Sequence, residues 1–168
     1  ELSIWKQIRE VAIGRKNDLN LDNLVPHFFF PPEITELSKS SNLNISNNAL
    51  SRIPPKVWEL TRLLALNLSN NEIEFLPDEI SRLTNLQSLD SSNNNIKSLP
   101  NAIGELANLQ KLNLSVNQIS SVPTTFSNLQ NLQSLDFSSN RLDVVPSEIT
   151  KLTNLRDLDI NQSEVKLL

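Results

Sequence analysis

The chain has 168 residues, 38% of them apolar, no cysteine, two glycines and a formal net charge of -4. That is material for one continuous core, and its acidic balance argues against partners that present phosphate backbones or anionic lipid, so neither nucleic acid nor membrane is expected. Without cysteine there is no disulfide, thiolate metal site or thiol nucleophile, which favours a reducing, cytoplasmic setting, and no apolar run reaches the roughly 18 to 20 residues of a spanning helix.

Residues 1–15 read as an N-terminal capping helix. Ile4, Ile8 and Val11 recur at helical spacing with Trp5 and Ala12 beside them, while Lys6, Gln7, Arg9 and Glu10 cover the opposite side. Ser3 supplies a start and Gly14 a stop. The polar face is mixed in charge, which suits a cover over the open end of a stacked core better than a membrane contact. Residues 16–39 form a degenerate first repeat, in which Leu19 and Leu21 match the strand pair of later units and Leu24 takes a place that later holds Asn. The segment 30–37 brings a Phe-Pro-Pro turn. His27, the single histidine, has neither a second histidine nor a cysteine to join it in a metal site and is read as a packing or surface residue.

From residue 40 the chain repeats every 23 residues: five full units cover 40–154, and a truncated last repeat covers 155–168. Such units stack so that each touches only its neighbours, and the chain displays an extended face instead of enclosing a pocket. In each unit the fourth and sixth places bracket a polar residue, as in Leu66-Asn67-Leu68, Leu112-Asn113-Leu114 and Leu135-Asp136-Phe137. That alternation predicts a short strand with one buried face, and successive units running the same way predict a parallel sheet with a spacing of about 4.8 Å. The ninth place holds Asn48, Asn71, Asn94, Asn117 and Asn140. An amide both donates and accepts, so this column is expected to satisfy backbone groups in the inward bend from one unit to the next. The second half of each unit, as in Leu76-Pro77-Asp78-Glu79-Ile80-Ser81-Arg82-Leu83, predicts a short helical turn started by proline, with Ile80 and Leu83 facing the core. The fold class is α/β: a solenoid with a curved parallel sheet on its concave side and short helical turns on its convex side, closed at the N-terminus by the capping helix.

The exposed strand positions are the candidate recognition residues: Asn67, Asp90, Lys111, Asn113, Asp136, Asp157 and Asp159, together with Val116, which is apolar where other units carry Asn70, Asn93 and Ser139. None is aromatic, although tryptophan, tyrosine and arginine dominate binding hot spots. Negative charge gathers toward the C-terminal units, so a partner with a basic surface is expected. Ser91 stands where Leu68 and Leu114 pack, a local core defect of order 1 kcal/mol, and Trp58 occupies a convex position as a lateral contact or as packing near the cap. Four glycosylation-type sequons begin at Asn44, Asn67, Asn113 and Asn161, and the repeat itself generates them. Leu155, Leu158, Ile160, Val165 and Leu168 predict an apolar C-terminal edge, covered by self-association or by sequence beyond the chain. The start at Glu1 and the lack of methionine read as a processed or excised segment.

No catalytic constellation emerges. Asp78 with Glu79, Glu33 with Glu36 and Asp157 with Asp159 are read as solvated carboxylates, because nothing implies a pocket around them. Gly14 and Gly104 are too isolated to build a phosphate loop. No cofactor or metal is expected.

The 23-residue consensus and its Leu-Pro-x-x-Ile-x-x-Leu half resemble leucine-rich-repeat proteins of the plant-intracellular/Ras-group class, which includes Ras-pathway scaffolds, repeat regions of Roco GTPases and bacterial effectors. The opening helix followed by Leu19-x-Leu21 and Phe30-Pro31-Pro32-Glu33-Ile34 looks like Roco-type and effector-type arrays. The resemblance implies a non-catalytic protein-protein interaction module that binds with its concave strands, in the host cytosol if it is an effector. It also admits a targeting or regulatory domain of a larger enzyme (Roco GTPase, kinase or ubiquitin-ligase effector) whose catalytic part lies outside the chain. An extracellular receptor fragment is disfavoured by the missing cysteines.

Overall fold

Each strand is three residues long with a leucine at its centre, flanked by polar residues except at Ala65. The computed structural model describes Lys6, residues 18–22 and residues 41–161. Within them run seven strands: β1 (Asp18–Asn20), β2 (Asn42–Asn44), β3 (Ala65–Asn67), β4 (Ser88–Asp90), β5 (Lys111–Asn113), β6 (Ser134–Asp136) and β7 (Asp157–Asp159). They form a single parallel sheet in chain order. Equivalent places pair from unit to unit, Leu43 with Leu66, Leu66 with Leu89 and Leu89 with Leu112, so the repeats lie in register.

The opposite side is built from 3₁₀ turns at Pro55–Glu59, Asp78–Arg82, Asn101–Glu105 and Thr124–Asn128, and one α-helical turn at Ser147–Thr150. In four of these the repeat's proline stands just before the first helical residue, and its carbonyl accepts the N–H three residues on, as from Ile80 to Pro77 at 3.1 Å. In the first full unit Pro54 holds that place and Pro55 is already the first helical residue. A proline lacks the N–H that the start of a helix leaves unpaired, so it sets the turn without leaving an orphan donor. Between sheet and turns lies one core that includes Leu66, Leu68, Ile73, Ile80 and Leu83, all buried.

Two exceptions mark the packing. Ser91 is fully buried at the sixth place, and its hydroxyl has no hydrogen-bond partner among the described residues. Gly104 is required by a close approach, because a Cβ there would collide with the backbone carbonyl of Thr125 in the next turn. Trp58 is only 3% exposed and belongs to the core. At the far end of the sheet Leu158 is exposed, while Leu155 and Ile160 are partly buried. The capping helix of residues 1–15 lies outside the described residues except for Lys6, which is helical. Leu24, His27, residues 30–37, Val165 and Leu168 lie outside them too. Among the described residues no helix is long and apolar enough to cross a membrane.

Candidate protein-recognition face

Two columns of side-chain amides tie each unit to the one before it, and a third column, of amides and carboxylates, closes turns within each unit on the concave wall. At the ninth place each asparagine is buried and binds in both directions. Asn94 accepts the Ile73 N–H at 3.0 Å and donates to the carbonyls of Leu68, Ser91 and Ser92, each at 3.1 Å. Asn117 repeats this with the Ile96 N–H and the carbonyls of Ser91, Leu114 and Ser115. Asn140 does so with Ile119, Leu114, Phe137 and Ser138. Asn71 accepts from the N–H groups of both Asn48 and Leu50, and Asn48 reaches back to the Leu21 carbonyl of the first repeat. These groups lie away from water, where an unpaired donor or acceptor is destabilising by about 1 to 3 kcal/mol.

At the twenty-third place an exposed column does a simpler version of the same work. Asn85, Asn108, Asn131 and Asn154 each donate to a carbonyl of the preceding unit, those of Thr61, Thr84, Ala107 and Gln130.

The fifth place is the column on the concave wall. Asn44, Asn67, Asp90, Asn113, Asp136 and Asp159 each accept, through Oδ1, the N–H two residues later at 2.8 to 3.0 Å. This is the Asx turn, in which a short side chain imitates a backbone turn and closes the strand. Only an acceptor is needed, so Asp and Asn serve equally. Ser92 Oγ adds a second bond to the same Asp90 oxygen at 2.7 Å. The other oxygens of Asp90, Asp136 and Asp159 make no hydrogen bond among the described residues. The fifth place therefore has a fixed half that closes the strand and a variable half, amide N–H₂ or carboxylate oxygen, that the turn does not use. Of the residues expected on this face, Asn67, Asp90, Asn113 and Asp136 are half-buried and Asp159 is exposed, and each makes this structural bond.

The remaining sequence-derived residues separate. Lys111, Asp157 and Asp159 are exposed on their strands. Counting all seven strands, Asp18, Asp90, Asp136, Asp157 and Asp159 stand against Lys111 as the only cation. Val116 is 48% exposed and has a φ of 54°. Its counterparts Asn47, Asn70, Asn93 and Ser139 share that left-handed backbone, which asparagine tolerates and a β-branched residue does not. Asn93 also donates to Asn70 at 2.6 Å, a short rail that stops at Val116.

Over β1 to β4 the sheet surface holds a depression of about 410 Å³ lined by Asp18, Asn42, Asn67 and Asp90 among others. A second, of about 350 Å³, runs between Leu64 and Lys111 past Gln87 and Gln110. Asn67, Asp90 and Lys111 border these hollows, whereas Asn113, Val116, Asp136, Asp157 and Asp159 line neither. Asp18, Asn42 and Ser88 of the N-terminal strands line the first hollow, and Leu64, just before β3, lines the second. Among the described residues no three His, Cys, Asp or Glu side chains gather as a metal-binding group.

Comparison with known proteins agrees with this geometry. A family model described as a leucine-rich repeat region matches residues 65–167. A leucine-rich-repeat protein of Leptospira interrogans is 35% identical and superposes with a TM-score of 0.90 over 98% of this chain and 41% of its own. The leucine-rich-repeat domain of the type III effector XopL is 25% identical, with a TM-score of 0.86 over 98% of this chain and 59% of its own. A plant peptide hormone receptor, RGFR1, solved in complex with RGF2, is 28% identical, with a TM-score of 0.76 over 93% of this chain and 26% of its own. The chain therefore spans less than two thirds of the length of each. Among curated proteins none matches it.

Proposed function

The chain belongs to the leucine-rich-repeat family, and from that premise we propose that it is a non-catalytic recognition module whose concave strand face binds a protein partner with a basic surface. The observation that carries this reading is the fifth-place column. Its Oδ1 atoms are committed to the fold while the second atoms form a repeating row, with N–H₂ groups at Asn44, Asn67 and Asn113 and carboxylate oxygens at Asp90, Asp136 and Asp159. Such a row changes charge from unit to unit without changing the backbone, which is what a recognition surface needs for specificity. A plant peptide hormone receptor that shares this fold over 26% of its chain was solved in complex with RGF2, which supports a binding role. The 23-residue period and the proline-started 3₁₀ turns support membership of the plant-intracellular/Ras-group class, with an effector-like or Roco-like setting and a cytoplasmic location. A second reading, in which the module targets or regulates a catalytic part elsewhere in a longer protein, draws on the greater length of the relatives it matches.

The test is retention of proteins from a cell extract by the immobilised chain, compared with the triple substitution Asp90→Asn, Asp136→Asn and Asp159→Asn. Substitution by lysine would remove the Asx turn along with the charge, so asparagine is the informative change. Loss of a partner whose binding to the wild type weakens as salt rises supports the proposal. An unchanged set of partners for the triple variant contradicts it.

A further inference from the structure

The residue types that usually anchor interfaces are missing from the concave wall, yet they gather on the flank. Where the chain leaves the asparagine bend and enters the proline turns of the first two full repeats, a groove of about 280 Å³ is lined by Arg52, Trp58, Phe75, Pro77, Glu79 and Arg82, among others. Phe75 is 46% exposed at a place that the other full units fill with Arg52, Ser98, Ser121 and Val144, so it is the one aromatic there. Trp58 contributes a buried wall, and the Arg52 guanidinium lies 5.9 Å from the Phe75 ring centroid. Tryptophan, arginine and exposed aromatic rings are the types enriched at binding hot spots.

Charge decides what this groove accepts. Lys56 pairs with Glu59 at 3.1 Å and neutralises it. Neither Arg52 nor Arg82 has a carboxylate partner among the described residues, which leaves two guanidinium groups against the single carboxylate of Glu79. The volume sits at the small end of ligand sites, which favours one or two inserted side chains over a cofactor. We infer that the groove is a second docking site, separate from the concave face, for a peptide segment of a protein partner that presents an aromatic or large aliphatic side chain beside a carboxylate. The apolar side chain lies on Phe75 against Trp58, and the carboxylate meets Arg52 or Arg82, whose planar forks suit it.

The experiment is selection of a displayed library of random linear peptides on the full chain, followed by affinity measurement of the enriched peptides. The expected sequences carry a large apolar residue next to Asp or Glu. Their binding weakens about tenfold in Phe75→Ala and in Arg82→Glu, and strengthens in Glu79→Gln. It holds in Val144→Ala, a comparably exposed apolar residue of another unit, and in the concave triple variant. All of these positions are exposed except the half-buried Asp90 and Asp136, and thermal unfolding of each variant confirms that the fold is kept. Failure to enrich any such sequence, or enriched peptides that bind Phe75→Ala and Arg82→Glu as tightly as the wild type, overturns the inference. Peptides lost only in the concave triple variant do so as well, while leaving the concave reading intact.

Discussion

Asn113 and Asn117 lie four residues apart in one repeat and carry the same side chain, yet the structure uses them differently. Asn117 is buried and must both donate and accept: its N–H₂ group is shared among three carbonyls while its oxygen takes the Ile96 N–H. Asn113 is half-buried and is needed only as an acceptor, from the N–H and hydroxyl of Ser115. The ninth place accordingly reads Asn in all five full units, whereas the fifth alternates between Asn and Asp. A position that needs only an acceptor can vary its charge, and that is why the fifth place carries either an amide or a carboxylate.

This contrast breaks most visibly at the buried column. Replacing Asn94 by alanine leaves the buried Ile73 N–H without a partner and takes one of two donors from each of the carbonyls of Leu68, Ser91 and Ser92, which keep Asn71, Asn117 and the Asn70 N–H, and the loss expected in urea unfolding is about 2 kcal/mol. Val116→Asn acts in the opposite direction. Relief of a β-branched residue in left-handed backbone should stabilise the chain by about 1 kcal/mol, extending the Asn70–Asn93 rail while weakening any partner that packs on the Val116 side chain. Thermal unfolding and partner affinity measured on one preparation check both halves. The exposed twenty-third-place column gives a smaller effect: Asn108→Ala removes one solvent-accessible bond to the Thr84 carbonyl and is expected to lower stability by about 0.5 to 1 kcal/mol in the same urea assay. Smallest is the triple change of Asp90, Asp136 and Asp159 to asparagine, which keeps all three Asx acceptors. Its unfolding midpoint should shift by no more than the equivalent of about 0.5 kcal/mol, although the charge of the face is rewritten.

The stack itself was legible because its signal repeats: Leu66-Asn67-Leu68 and the Leu-Pro half name a strand and a turn in every unit, and register follows from the constant period. The need for asparagine at the ninth place was legible from the same logic. The double role of the fifth place was not, although the clue was present. Asn20, Asn44, Asn67, Asp90, Asn113, Asp136 and Asp159 are all Asx, a restriction that a purely recognitional column has no reason to obey. The flank groove was hidden for a different reason. Trp58 stood out as a departure from its unit, but Phe75 and Arg82 come from the next one, and only stacking brings them beside Arg52. The unpartnered hydroxyl of Ser91, by contrast, follows directly from placing a serine in a leucine column.

Equilibrium urea unfolding of Asn113→Asp beside Asn117→Asp tests the division of labour most directly. The account predicts that Asn113→Asp stays within about 0.5 kcal/mol of the wild type, while Asn117→Asp, which buries an acid against the carbonyls of Ser91, Leu114 and Ser115 and removes one of the two donors to each, loses about 3 kcal/mol or more. Equal losses at the two positions would contradict it, because the fifth place would then have no variable half to offer a partner.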